Sequence, residues 1–333
     1  MALVGHAFSP KEFQVWIISD DTNGGSSGIH ASNMYQLDVD SVGMPSLNVN
    51  QVLDVRSGVG RTLKDEDVFQ DNTLRVVELS ISGTMHNDAG HKLLLQNICN
   101  DVSGDIAVES NFTADSQIYG TAVNNSASSL TAVIKSSDHT NQRSLEMAGM
   151  VVTSFSLSAD ATTEGGRYKF SATLQSGVKP DLNESSTLAG SNVYANTTDC
   201  FLSSGSGVKV FNTDVILQNF TATIESPAVF TGFQSSPAGY QQVSRGAEIA
   251  VTAETTVKYD GNTKGFINSF DTQTSAQSGN MFVIVNDNAF GIDMQNGVFT
   301  DVAYNEGDVM MLDCSMKAVD DGTDALINFD VTS

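Results

Sequence analysis

Short runs in which apolar and polar residues alternate recur along almost the whole chain. In Val77-Glu-Leu-Ser-Ile81 the apolar Val77, Leu79 and Ile81 fall on one face and polar groups on the other. A period of two marks a half-buried β-strand. The same reading predicts strands at 13–18, 34–39, 52–56, 74–82, 105–109, 130–135, 150–158 and 168–174. The second half continues with 208–211, 214–224, 248–259, 281–285, 297–300, 309–314 and 325–331. Turn-prone polar segments separate them, among them Asp21–Gly25 and Glu164–Arg167, and 233–239 reads as a loop.

Two places depart from this period. Between Asn87 and Cys99, Leu94, Leu95 and Ile98 share one face at helical spacing, and Asp88 stands where an N-cap belongs. A helix near 88–99 is predicted there, and a shorter one near 264–270 after Asp260-Gly261. Each half thus reads as strands, a polar turn, a short helix and more strands. Glu78–Ser82 followed by Asp88 aligns with Glu248–Thr252 followed by Asp260. The expectation is an all-β fold with short flanking helices, built as two tandem β-sandwich or barrel domains. The first covers 1–178, the second 207–333, and a Ser-, Asn- and Gly-rich linker spans 179–206. Two unrelated β-domains are the alternative.

Composition sharpens this picture. Charged residues make up only 17%, and Ser, Thr, Asn, Gly and Val fill the gap, as strands and turns require. Against 16 basic residues stand 39 acidic ones, a net charge of −23. Such a surface repels phosphate and argues against a basic nucleic-acid groove or an anionic membrane partner. A wall that lets DNA slide past would have this charge; so would a protein made acidic for solubility. No run approaches the ~20 apolar residues of a membrane helix. The first residues lack the pattern of a secretory signal, so synthesis in a cytoplasm is expected. Cys99, Cys200 and Cys314 lie far apart and are expected as buried small hydrophobes, not a disulfide framework. The Asn-x-Ser/Thr sequons at Asn111, Asn124, Asn183, Asn196 and Asn219 fit chance in so Asn-rich a chain.

Little in the sequence looks catalytic. Of His6, His30, His86, His91 and His139, only His86 and His91 are close, and their spacing is not that of a helical metal pair. They are expected on a turn and on a helix surface. Asp20–Gly25 is oxygen-rich but lacks the full calcium-loop ligand set. Gly24-Gly-Ser-Ser-Gly28 spells a nucleophile elbow, yet no helical pattern follows it, and His30 is too near to be the partner base. No catalytic, cofactor-binding or metal residue is assigned, and no enzyme activity is expected.

Three stretches resemble the tail tube proteins of long-tailed phages: Val77 to Cys99; Gly149 to Asp160 with Tyr168 to Gly177; and Asn219 to Ile224 leading to Val257–Gly261. The resemblance implies a virion location in the tail and a subunit whose sheet joins its neighbours' into a ring. Rings then stack into a tube that conducts DNA without binding it specifically. Partners would be further copies of the chain and other tail proteins. Two tube-type domains per chain would give a homotrimeric, pseudo-hexameric ring; a hexamer follows if the second domain is a decoration. Polar loops such as 57–73 would reach the next ring. A distal tail or baseplate hub protein of the same fold is an alternative, as is an adhesin or carbohydrate-binding β-protein. Against the last, Trp16 is the only tryptophan and sits in an apolar run.

Overall fold

The computed structural model describes residues 10–19, 34–45, 50–53, 68–71, 76–99, 106–108, 117–119, 129–136, 144–178, 180–183, 192–194, 200–202, 207–235, 238–245, 248–285 and 290–330. The alternating runs pair into antiparallel sheets, and the fold is all-β with short helices. Eight strands form the centre of the largest sheet: β1 (Val39–Gly43), β2 (Val77–Thr84), β3 (Ser144–Asp160), β4 (Lys169–Ser176), β5 (Leu217–Glu225), β6 (Ala250–Lys258), β7 (Gly297–Glu306) and β8 (Met310–Ala318). Their order across the sheet is β1-β2-β4-β3-β5-β6-β8-β7.

Strand β3 belongs to two neighbourhoods. Its first residues pair with Leu130–Ser136, which leads on to Phe13–Ser19 and Tyr35–Leu37. From Val151 onward it pairs with β4, and from Ser154 with β5. The register slips between Met147 and Met150, where Gly149 takes φ 65°, a left-handed conformation that glycine adopts without a Cβ clash.

Alternation gives the sheet two unlike faces. Val77, Leu79, Ile81, Phe155, Leu157, Phe170, Ala172, Leu174, Phe220, Ala222 and Ile224 are all buried on one of them. A second sheet packs there, made of Thr213–Asp214, Val208–Val210, Phe282–Ile284, Gly291–Met294, Ile327–Asp330 and Ile106–Val108. Phe282 meets Phe220 at 5.9 Å and Phe290 meets Tyr168 at 5.8 Å between ring centroids, so the sandwich shares one continuous core across both halves. Helix α1 (Ala89–Cys99) lies against β3 and buries Leu94, Leu95 and Ile98, the face its spacing predicts. Helix α2 (Phe266–Thr272) lies against β7, with Phe266 on Phe299.

Several expectations need correction. The predicted loop at 233–239 is instead part of a hairpin, Ala228–Ser235 with Ala238–Arg245, held at its base by Val243, which is fully buried. Strands β3, β7 and β8 run well past the apolar stretches that predicted them, because sheet neighbours supply hydrogen bonds to residues with no apolar signal of their own. The alignment of Glu78–Ser82 with Glu248–Thr252 pairs the right strands but is four residues out. Ile81 sits between Val42 and Ala172, as Thr255 sits between Phe220 and Cys314. Within 179–206, Asp181–Asn183 pairs with the start of β3, Asn192 bridges to Tyr35, and Phe201 bridges to Arg167. Of the polar segment 57–73, only Val68–Asp71 is described, paired with Asn50–Leu53. Asp20–Gly25, the Gly24–Gly28 string, His6, His30, His139, Asn111, Asn124 and Asn196 lie outside the described residues. Among the described residues no helix is long and apolar enough to cross a membrane.

Candidate functional site

The two central histidines are not on the surface as expected. Both His86 and His91 are fully buried, because long-range folding brings Asp38 to both of them, its carboxylate to His86 and its backbone N–H to His91. His86 Nε2 lies 2.9 Å from Asp38 Oδ2, and His91 Nδ1 lies 2.8 Å from Asp88 Oδ1. The backbone N–H of Asp38 donates to His91 Nε2 at 3.4 Å, which leaves the His91 proton on Nδ1, facing Asp88. Asp88 Oδ1 also accepts the His91 backbone N–H, so it caps α1 as its position predicts. Burial works to raise the Asp88 pKa, but the His91 hydrogen bonds and charge outweigh it and hold it below the ordinary carboxylate value. With the imidazoles buried and the carboxylates partly exposed, these pairs fix the start of β1 to α1. Among the described residues no group of three or more His, Cys, Asp or Glu could hold a metal ion.

The three cysteines are buried, as expected, and none of them is disulfide-bonded. Burial, reinforced by Asp313 and Asp301, pushes the Cys314 thiol up to about 12, which makes it a poor nucleophile. A cleft of about 440 Å³ opens where Asp160, Glu164, Arg167 and Lys169 surround the β3–β4 turn. Lys169 Nζ there is already bound by Asp40 at 3.0 Å and Glu164 at 3.1 Å, an arrangement that ties the β4 start to β1.

The broad features lie elsewhere, on the eight-strand sheet. Its face away from the core carries Glu78, Ser80, Ser82, Ser171, Thr173, Gln175, Ser154, Ser156 and Ser158 in the first half. Asn219, Thr221, Thr223, Glu225, Thr252, Glu254, Thr256, Asp301, Asp313 and Ser315 continue it in the second. Hydroxyls and carboxylates dominate, with Lys169, Lys258 and Lys317 the lysines of this face among the described side chains.

The same four-strand arrangement occurs twice across this sheet. The order β1-β2-β4-β3 with α1 after β2 matches β5-β6-β8-β7 with α2 after β6. Register agrees residue by residue: the row Val42–Ile81–Ala172–Phe155 corresponds to Phe220–Thr255–Cys314–Val302. The bulges agree as well. One interrupts β1 between Val39 and Ser41, its counterpart β5 between Leu217 and Asn219. Another interrupts β3 between Val152 and Ser154, its counterpart β7 between Phe299 and Asp301. Each helix end treats its bulge alike. Asn97 Oδ1 accepts the Val152 N–H at 2.7 Å, and Gln273 Oε1 accepts the Phe299 N–H at 3.0 Å. A bulge frees a strand N–H from the ladder, and a side-chain amide satisfies it in both places.

The two sets meet where β3 pairs with β5, from Ser154 opposite Glu225 to Asp160 opposite Asn219. At the far ends, β1 and β7 each have a strand neighbour on one side only among the described residues. Near these edges the sheet exposes large apolar side chains: Met44 and Tyr304, each 51% exposed, with Val309 in the β7–β8 turn and Met310 at the start of β8. Sequence reasoning found β7 but not β1, which lies past the strand predicted at 34–39, and it found neither edge, because an edge is defined by what fails to pair with it. No protein-family model matches the chain, and no curated protein sequence matches it.

Proposed function

We propose that the chain is a structural protein that assembles with copies of itself into rings, and that the rings stack into a tube of the phage tail type. The observation that carries this reading is the joint between β3 and β5. Inside one chain it pairs the last strand of one four-strand set with the first strand of the next, and the same two kinds of strand lie at the sheet's ends with a strand neighbour on one side only among the described residues. Open strand edges invite pairing, and natural proteins cap or cover those that must not pair. The repeated order, bulges and helix contacts support a tandem duplication of one helix-bearing module. Because both modules contribute to a single sheet, three chains supply six modules, which favours a trimeric ring over a hexameric one.

In such a ring the polar face is the wall of the channel. Glu78, Glu225, Glu254, Asp301 and Asp313 point there among serines and threonines, a surface that repels phosphate and leaves DNA free to slide. The tail resemblance and the acidic balance point the same way, and a structural role in the virion needs no catalytic group. Electron microscopy of the purified protein tests the proposal. Rings or tubes with a central channel are the expected result. Monodisperse monomers at high concentration across several salt conditions would overturn it. Single rings that never stack would favour the distal tail or hub reading.

A further inference from the structure

The joint inside the chain is a template for the joint between chains. At that joint Leu157 of β3 stands opposite Ala222 of β5, both buried on the core side. The equivalence of the two sets carries each residue to an open edge. Leu157 pairs with Phe170, which pairs with Gly83; Tyr304 pairs with Leu312, which pairs with Val257. Tyr304 therefore holds in β7 the place that Leu157 holds in β3. On the other edge, Ala222 pairs with Ala253 of β6. Continuing the β1–β2 register by one residue beyond Gly43 opposite Ser80 sets Met44 beside Leu79, the counterpart of Ala253. Met44 therefore holds the place of Ala222.

We propose that β7 of one copy pairs antiparallel with β1 of the next, with Tyr304 opposite Met44, Asn305 opposite Gly43 and Glu306 opposite Val42. This rests on the self-assembly reading and adds to it a register and a set of contacts. Two exposed apolar side chains, one on each open edge, face each other on the core side in this register. A slip of one residue would turn both to opposite faces, so burying them selects the pairing. Tyr304 already leans on Tyr259 at 5.6 Å between centroids, which holds its ring at the edge, ready for the incoming Met44. Aromatic and long apolar pairs across strands add to the stability of the ladder, enough to decide a register once backbone hydrogen bonds have formed.

Cysteine cross-linking reads the register directly, since the native cysteines are buried. The double variant M44C/Y304C, oxidised in assembled particles, is expected to give chain-to-chain disulfides that denaturing gels resolve as closed trimers. The off-register pair M44C/E306C, on the same face two residues along, is expected to give none. Both positions of the first pair are solvent-exposed, so folding survives, and sedimentation reports assembly separately from cross-linking. Particles that cross-link only off register, or through neither pair, overturn the register while leaving self-assembly intact. Absence of particles for the unmodified chain overturns the self-assembly reading, and the register with it.

Discussion

Arg245 ends the second hairpin strand and reaches into the place where the two strand sets, the hairpin and α1 converge. Its Nη1 donates to the carbonyls of Val152 and Ser226, both at 2.6 Å, and its Nη2 donates to Asn97 O at 2.9 Å. The side chain is 7% exposed. Burial pulls the guanidinium pKa down to about 9, still well above neutrality, so a charged donor serves three backbone acceptors. Arg245→Ala removes all three bonds. Each buried carbonyl left short of a donor costs about 1–3 kcal/mol. Relief of the buried charge offsets several kcal/mol of this total. The net expectation is a loss of about 3 kcal/mol, at the lower end of the carbonyl sum. Arg245→Lys keeps a charge but loses the planar fork, and is expected to fall between the two. Urea unfolding at matched assembly state gives the number, and hydrogen exchange at Val152 and Ser226 locates it. A loss below about 1 kcal/mol for Arg245→Ala would mean that water takes over the carbonyls, and the clamp argument would be refuted.

Three further outcomes follow from described contacts. Asp88→Ala is expected to cost about 1 kcal/mol through the lost α1 cap. Because the folded Asp88 pKa lies below the ordinary carboxylate value, its contribution is present above that ordinary value and is lost as pH falls through the folded one. The acid limb of the stability profile should flatten in the variant, and an unchanged limb would contradict this. A Cβ at Gly83 would meet Asp38 O at 1.9 Å and Val39 Cα at 2.7 Å, so Gly83→Val should push β1 from β2. Sedimentation should then show weaker assembly, while assembly equal to the unmodified chain would refute a role for β1. All three thiols should resist a thiol reagent in the folded protein and react together on denaturation; prompt reaction of Cys314 would contradict its burial.

Strong local patterns carried much of the fold into the sequence. Val77, Leu79 and Ile81 alternate so regularly that their burial could be read directly, and Leu94, Leu95 and Ile98 fixed the buried face of α1. The Ala228–Arg245 hairpin was missed because Gly232, Ser235 and Gly239 read as turn residues, while Val243 and Arg245 find their partners far off in sequence. His86 and His91 were misplaced for a related reason: Asp38 makes them tolerable in the interior, and it is 48 and 53 residues away. The repeat was visible only as two similar runs, and its alignment was four residues out. Register depends on pairing with β1, whose weak alternation gives no anchor.

The β3–β5 joint also has a kinetic meaning. Its two strands belong to one chain, so their local concentration is set by the connecting segment and does not change when the protein is diluted. A joint between chains forms only by diffusion and dissolves on dilution. In the proposed ring, joining the two sets covalently would therefore remove every second encounter. A closed ring would nucleate from three bodies instead of six, and its rate of formation would depend less steeply on protein concentration.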